Sequence, residues 1–119
     1  YGYWLSKDFI RQSKSVILVE GQGDVWRLWE SGIRNAVGMF GSSLSDAQLR
    51  ILETSGALNV VIITDSDQAG EKARKSISKK CSRMFNIIDV RVPSKDVGDL
   101  SVSEVQQIIK PQIKGYTND

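Results

Sequence analysis

The chain predicts an α/β fold with a central parallel sheet of four strands and helices on both faces, and three observations carry that expectation. Short β-branched runs alternate with stretches of helical period. Two of the runs, SVILV and VVIIT, are apolar on both faces, as a strand covered by helices on either side must be. Acidic residues follow those two runs directly: Glu20 after the first, Asp65 and Asp67 after the second.

In chain order, Trp4, Leu5, Phe9 and Ile10 predict a short leading helix packed on the domain, so that residues 1–14 read as a leading helix or a linker from an upstream subdomain. A strand follows at 15–20. Val25, Leu28 and Trp29 recur at i, i+3 and i+4 and set a helix over 23–31. Trp26 falls outside that stripe and is expected to be buried against the leading helix. After a strand at 35–40, Ser45 and Gln48 form a capping box that starts a helix over 46–55 with Ala47, Ile51 and Leu52 on one stripe. A strand at 59–64 leads to a helix over 68–84, which buries Ala69, Ala73, Ile77, Cys81 and Met84 and turns Lys72, Arg74, Lys75, Lys79, Lys80 and Arg83 to the other sides. The last strand is placed at 86–92. Ser101 and Glu104 cap a final helix carrying Val102, Val105, Ile108 and Ile109. Residues 15–110 thus form one domain, and the tail at 111–119 is expected to fray.

Composition narrows the function classes. With 119 residues, 40% hydrophobic and 25% charged, the chain suits one globular domain. No apolar stretch approaches the ~20 residues that cross a bilayer, and no signal peptide opens it. One Cys and no His disfavour a disulfide or a structural zinc site, and a reducing cytoplasm is the expected setting. A net charge of +2 is too small to attract nucleic acid by itself, so any such attraction rests on where the charges sit. A first residue of Tyr1 rather than Met reads as a piece of a longer polypeptide.

The acids carry the chemistry. If the strands that precede Glu20 and Asp65 are neighbours, Glu20, Asp65 and Asp67 converge on one edge of the sheet, where their mutual repulsion is relieved by a hard divalent cation such as Mg²⁺. Sharing an ion makes the first and third strands adjacent, and right-handed crossovers then give the order 2-1-3-4. Each acid also has a plainer reading. Asp67, before a helix, serves equally as an N-cap worth ~1 kcal/mol, and Asp24 as a complement to a helix dipole. Glu20 and Asp65, directly after buried runs, are harder to explain that way.

Taken together, VEGQGD, GMFGSSLSDAQL, TDSDQAGEKA and VPSKDVGDL resemble the Toprim domain, a Rossmann-like fold, in the arrangement of bacterial and bacteriophage DNA primases. The resemblance spans about residues 15–100. It implies an Mg²⁺ or Mn²⁺ centre on Glu20, Asp65 and Asp67, with Asp24 as the second acid of the first motif and Asp96 and Asp99 as the acids of the last. Many primases carry two acids two apart in that last motif. Here Gly98 stands at the second position and Asp99 follows it, which leaves open whether Asp96 or Asp99 is the outer ligand.

The same resemblance implies metal-dependent nucleotidyl transfer: synthesis of an RNA primer on a single-stranded DNA template from nucleoside triphosphates, with a replicative helicase as partner and no membrane. Divalent ions would neutralise charge on the entering and leaving oxygens. Glu20 is the candidate for assisting deprotonation of the attacking hydroxyl. Gly41 and Ser42 align with a Leu-Gly-Thr type of primase segment whose amides face phosphate. Apart from the resemblance, the position of Lys72 and Lys75 just after the Asp-x-Asp loop makes them candidates to steer template or triphosphate, against the plainer reading of a solvated helix face, and Lys95 is a further candidate for a triphosphate contact.

Two other functions occur within the same family. A metal-dependent Toprim nuclease, of the overcoming-lysogenization-defect or RNA-maturation type, would set water in place of the primer hydroxyl. A Toprim module that only binds nucleic acid would lack the acids, and Glu20, Asp65 and Asp67 are all present.

Overall fold

The computed structural model describes residues 2–38, 45–65, 68–92 and 97–117, with the backbone alone at 65, 68–70 and 91. Helix α1 (Tyr3–Ser13) leads into β1 (Ser15–Val19), α2 (Gln22–Glu30), β2 (Ala36–Gly38), α3 (Asp46–Thr54), β3 (Asn59–Asp65), α4 (Gln68–Cys81) and β4 (Asn86–Val92). A tight turn at Val97–Asp99 and a last helical segment, begun by α5 (Val102–Glu104), complete the chain. The four strands are parallel in the order β2-β1-β3-β4. This is the order expected from two acids sharing one ion.

Alternate residues of the inner strands feed two separate cores, which is why both strands are apolar on both faces. Ile17, Val19, Val61 and Ile63 pack under α2 and the C-terminal segment, against Val25, Leu28, Val105, Ile109 and Ile113. Val16, Leu18, Val60 and Ile62 pack on the other face against Ile10 of α1, Leu52 of α3, and Ile77 and Cys81 of α4. Helices therefore cover both faces.

Local sequence sets the helix starts. Ser45 Oγ accepts the Gln48 amide while Gln48 Oε1 accepts the Ser45 amide, and Ser101 with Glu104 repeats the exchange. After Glu104 the chain widens into a π turn at Val105–Ile109 and tightens into a 3₁₀ turn at Lys110–Ile113, where one regular helix was expected. Pro111 gives the reason: it has no N–H to donate and its ring crowds the carbonyl four residues back, so the Lys110 amide donates to Val105 instead. Of the tail expected to fray, residues 118 and 119 lie outside the described residues, and the part before them is held. Ile113 is fully buried, and the side-chain amide of buried Asn35 donates to the carbonyls of Ser15 (2.9 Å) and Tyr116 (2.8 Å).

Several side chains differ from the sequence expectation. Phe9 and Ile10 do dock α1, Phe9 edge-on against Trp29 at 5.8 Å, but Trp4 and Leu5 stay exposed. Trp26 is also more than half exposed, because the apolar stripe of α2 needs only Val25, Leu28 and Trp29 to meet the sheet. In α3 the covered residues are Leu49 and Leu52, and Ile51 faces out. Helix α4 stops at Cys81, so Met84 falls on the connecting turn and is exposed, and Phe85 takes the buried place. Arg74 differs most. Expected on an outer face, it is 4% exposed.

Candidate metal centre at the carboxyl rim of the sheet

Strand β1 lies against β3 with Leu18 opposite Ile62, and β3 lies against β4 with Asp65 opposite Val92. Glu20 comes directly after β1, half-buried, and Asp65 is the last residue of β3. Because the strands are parallel neighbours, both acids leave the same rim, the crevice in which open α/β sheets bind ligands. Asp67, Lys95, Asp96, Gly41 and Ser42 lie outside the described residues. The strands that precede them, β2, β3 and β4, all end on this rim.

Asp24 sits in the first turn of α2, and both of its carboxylate oxygens accept backbone amides. Oδ2 accepts from Gly21 at 3.2 Å, closing the helix start, and Oδ1 accepts from Gly98 at 2.7 Å, across 74 positions of sequence. That second bond fastens the Val97–Asp99 turn to the first motif. In the turn, Val97 is buried and Asp99 is exposed. Asp24 and Asp99 are thus brought to the same rim as Glu20, in different surroundings.

The glycines divide in the same way. Gly21 has an extended backbone, and a Cβ added at Gly21 or Gly23 meets no described atom within 4 Å, so neither packing nor turn geometry demands glycine there. Gly38, which sequence reasoning passed over, lies where the first-motif loop crosses the end of β2: a Cβ there would sit in van der Waals contact, 3.4 Å, with the Gly21 carbonyl oxygen and with Val25. A lone glycine closing a short apolar strand was the available signal.

Helix α4 runs away from the rim and carries Lys72, Lys75 and Lys79 exposed to solvent. Lys80 reaches Asp46 of α3 at 3.1 Å. Arg74 turns inward instead. Its guanidinium meets Glu71, one turn earlier on α4, the Thr64 hydroxyl on β3 and the Asp89 carboxylate on β4. A solitary acid in the strand NIIDVRV was the sequence signal for such a buried partner. Cys81 is fully buried, and burial pushes its thiol pKa up against a smaller opposing pull from Lys80, so it is a core side chain rather than a nucleophile.

A doubly covered parallel sheet with acids at the ends of its two central strands defines a class. A family model for the Toprim domain matches residues 14–92, and the chain belongs to that family. Its curated relatives include the DNA primase of Aquifex aeolicus, 40% identical over 76 residues, which is 64% of this chain and 15% of that protein. DNA primase DnaG of Methanocaldococcus jannaschii is 31% identical over 104 residues, 87% of this chain and 23% of that protein. Among solved structures, a DNA primase domain from Pseudomonas aeruginosa superposes with a TM-score of 0.78 at 24% identity, covering 96% of this chain and 37% of the other. The Aquifex aeolicus primase, solved with its zinc-binding and RNA polymerase domains, gives 0.75 at 29% identity over 96% of this chain and 28% of that one. The chain spans less than a quarter of each of these curated relatives. Among the described residues, no helix is long and apolar enough to cross a membrane.

Proposed function

We propose that this domain is the metal-binding part of a primase, making RNA primers on single-stranded DNA from nucleoside triphosphates. The observation that carries the reading is the pair Glu20 and Asp65, leaving adjacent parallel strands on one rim of a Toprim sheet. The donor set is all oxygen, which suits Mg²⁺ or Mn²⁺ and not a softer metal. Glu20, Asp65 and Asp67 would hold the ion, with Asp96 or Asp99 at an outer position. When bound, the ion supplies neutralisation of charge that develops during transfer.

The chain's own residues do the rest. Glu20 takes the proton of the attacking hydroxyl, and Gly41, Ser42 and Lys95 hold triphosphate. A structure of the DnaG primase catalytic domain, 22% identical to this chain, has been solved bound to single-stranded DNA. The polypeptide that contains this domain would act in the cytoplasm beside a replicative helicase, with residues 15–110 as the Toprim unit and 1–14 as its lead from an upstream subdomain.

Titration with Mn²⁺ tests the site, followed by incubation with template and nucleotides. Saturable binding that the Asp65→Asn substitution weakens tenfold or more, together with nucleotide incorporation, is the expected result. Binding with cleavage of plasmid or structured RNA and no incorporation would make the protein a nuclease. Absence of binding would end the metal reading.

The exposed lysines of α4 give a second expectation. If Lys72 and Lys75 contact phosphate, replacing both with Ala weakens single-stranded DNA binding and makes the slope of log K against log salt shallower by about 1.4, the sum for two phosphate contacts on a single strand. An unchanged slope would return them to an ordinary solvated face.

A further inference from the structure

We propose that Asp24 is a positioning residue rather than a metal ligand: its carboxylate clamps the Val97–Asp99 turn onto the start of α2 and so fixes the last motif relative to Glu20. The proposal rests on the metal reading of the rim. Each oxygen of Asp24 already accepts a backbone N–H, Gly98 at 2.7 Å and Gly21 at 3.2 Å, and the positive end of α2 favours its charge. Amide-to-carboxylate bonds at a helix start are among the stronger hydrogen bonds in proteins. The negative charge is therefore compensated at least in part from within the fold, by two backbone amides and the helix start.

Gly98 supplies the other half of the contact. A Cβ at that position would lie 3.2 Å from Asp24 Oδ1 and 3.3 and 3.4 Å from the carbonyl carbon and oxygen of Gly23. Backbone meets backbone here, so neither side can move away cheaply. The turn approaches α2 as closely as it does because residue 98 has no side chain, and that approach delivers its amide to Asp24. A carboxylate at 98 would start from a Cβ already crowded against that of Asp24. The acid of the turn is instead carried by the next residue, Asp99, which is exposed beside the clamp.

Hydrogen–deuterium exchange and Mn²⁺ binding on the full-length protein separate clamp from ligand. In Asp24→Ala, exchange in the 97–100 segment should speed up about tenfold or more, the loss of a hydrogen bond to a charged group, and Mn²⁺ affinity should fall at least tenfold. Asp24→Asn keeps an acceptor for Gly98 and should hold Mn²⁺ affinity within threefold of the parent protein. Gly98→Ala leaves every acid in place, yet should weaken Mn²⁺ binding threefold or more. Asp24→Asn as weak as Asp24→Ala would make the carboxylate a ligand and overturn the proposal. So would unchanged exchange in Asp24→Ala, or unchanged binding in Gly98→Ala. If the parent protein binds no Mn²⁺, the metal reading itself fails, and the exchange result shows separately whether the clamp exists.

Discussion

Glu20→Gln is expected to lower primer synthesis by 10²- to 10⁴-fold, the range for loss of a general base, while the thermal midpoint stays within about 2 °C of the parent. The two readouts part company because of where Glu20 stands. It lies one residue beyond β1, half-buried, and belongs to neither of the two apolar cores. Gln matches Glu in shape, so packing at the rim is kept. What is lost is the negative charge, which on the proposed reading would serve both as a hard ligand and as an acceptor for the proton of the attacking hydroxyl. Mn²⁺ titration of the same variant should show weaker binding, because an amide oxygen is a poorer ligand for a divalent ion than a carboxylate. Synthesis within threefold of the parent protein would remove Glu20 from the reaction. Loss of synthesis together with a large drop in midpoint would assign it a structural duty instead.

The framework of this site was legible because its determinants are local. Runs such as SVILV and VVIIT are too apolar for anything but covered strands, and parallel strands must end with their following acids on one rim. The expected sheet order followed from one chemical demand, that Glu20 and Asp65 be close, and the observed order β2-β1-β3-β4 is the same. Contacts across long sequence separations were not legible. Nothing near Asp24 announces Gly98, and the sequence offered only the two ordinary duties of such an acid, helix dipole and ligand. Surface assignments failed for a related reason: a helical stripe says which residues can face the sheet, and neighbouring elements decide which do. Among the described residues no element covers Trp26, whereas Arg74, next to the stripe of Ala73, Ile77 and Cys81, found three polar partners in the groove between α4 and the sheet.

Arg74→Met should cost about 2–3 kcal/mol of stability, seen as a fall of about 10 °C in the thermal midpoint for a domain of this size. Removing one member of a buried ion pair usually costs 3–5 kcal/mol, because the charge left behind has no compensation. Here the Arg74 side chain is 5% exposed, but those of its partners Glu71 and Asp89 are 39% and 38% exposed. Water can therefore solvate the two orphaned carboxylates in part, and the cost comes out below that range. Met preserves most of the aliphatic stem, so the loss reports the charge and its hydrogen bonds rather than a cavity. Asp89→Asn should cost less, since Glu71 and Thr64 still hold Arg74, and the double variant should show coupling of 0.5 kcal/mol or more. Thr64 immediately precedes Asp65, so losing the bond from Arg74 also loosens the end of β3 that presents this acid. A modest fall in Mn²⁺ affinity should accompany the loss of stability. A change in stability below about 0.5 kcal/mol, typical of a surface substitution, would mean that Arg74 is buried without holding α4 to the sheet.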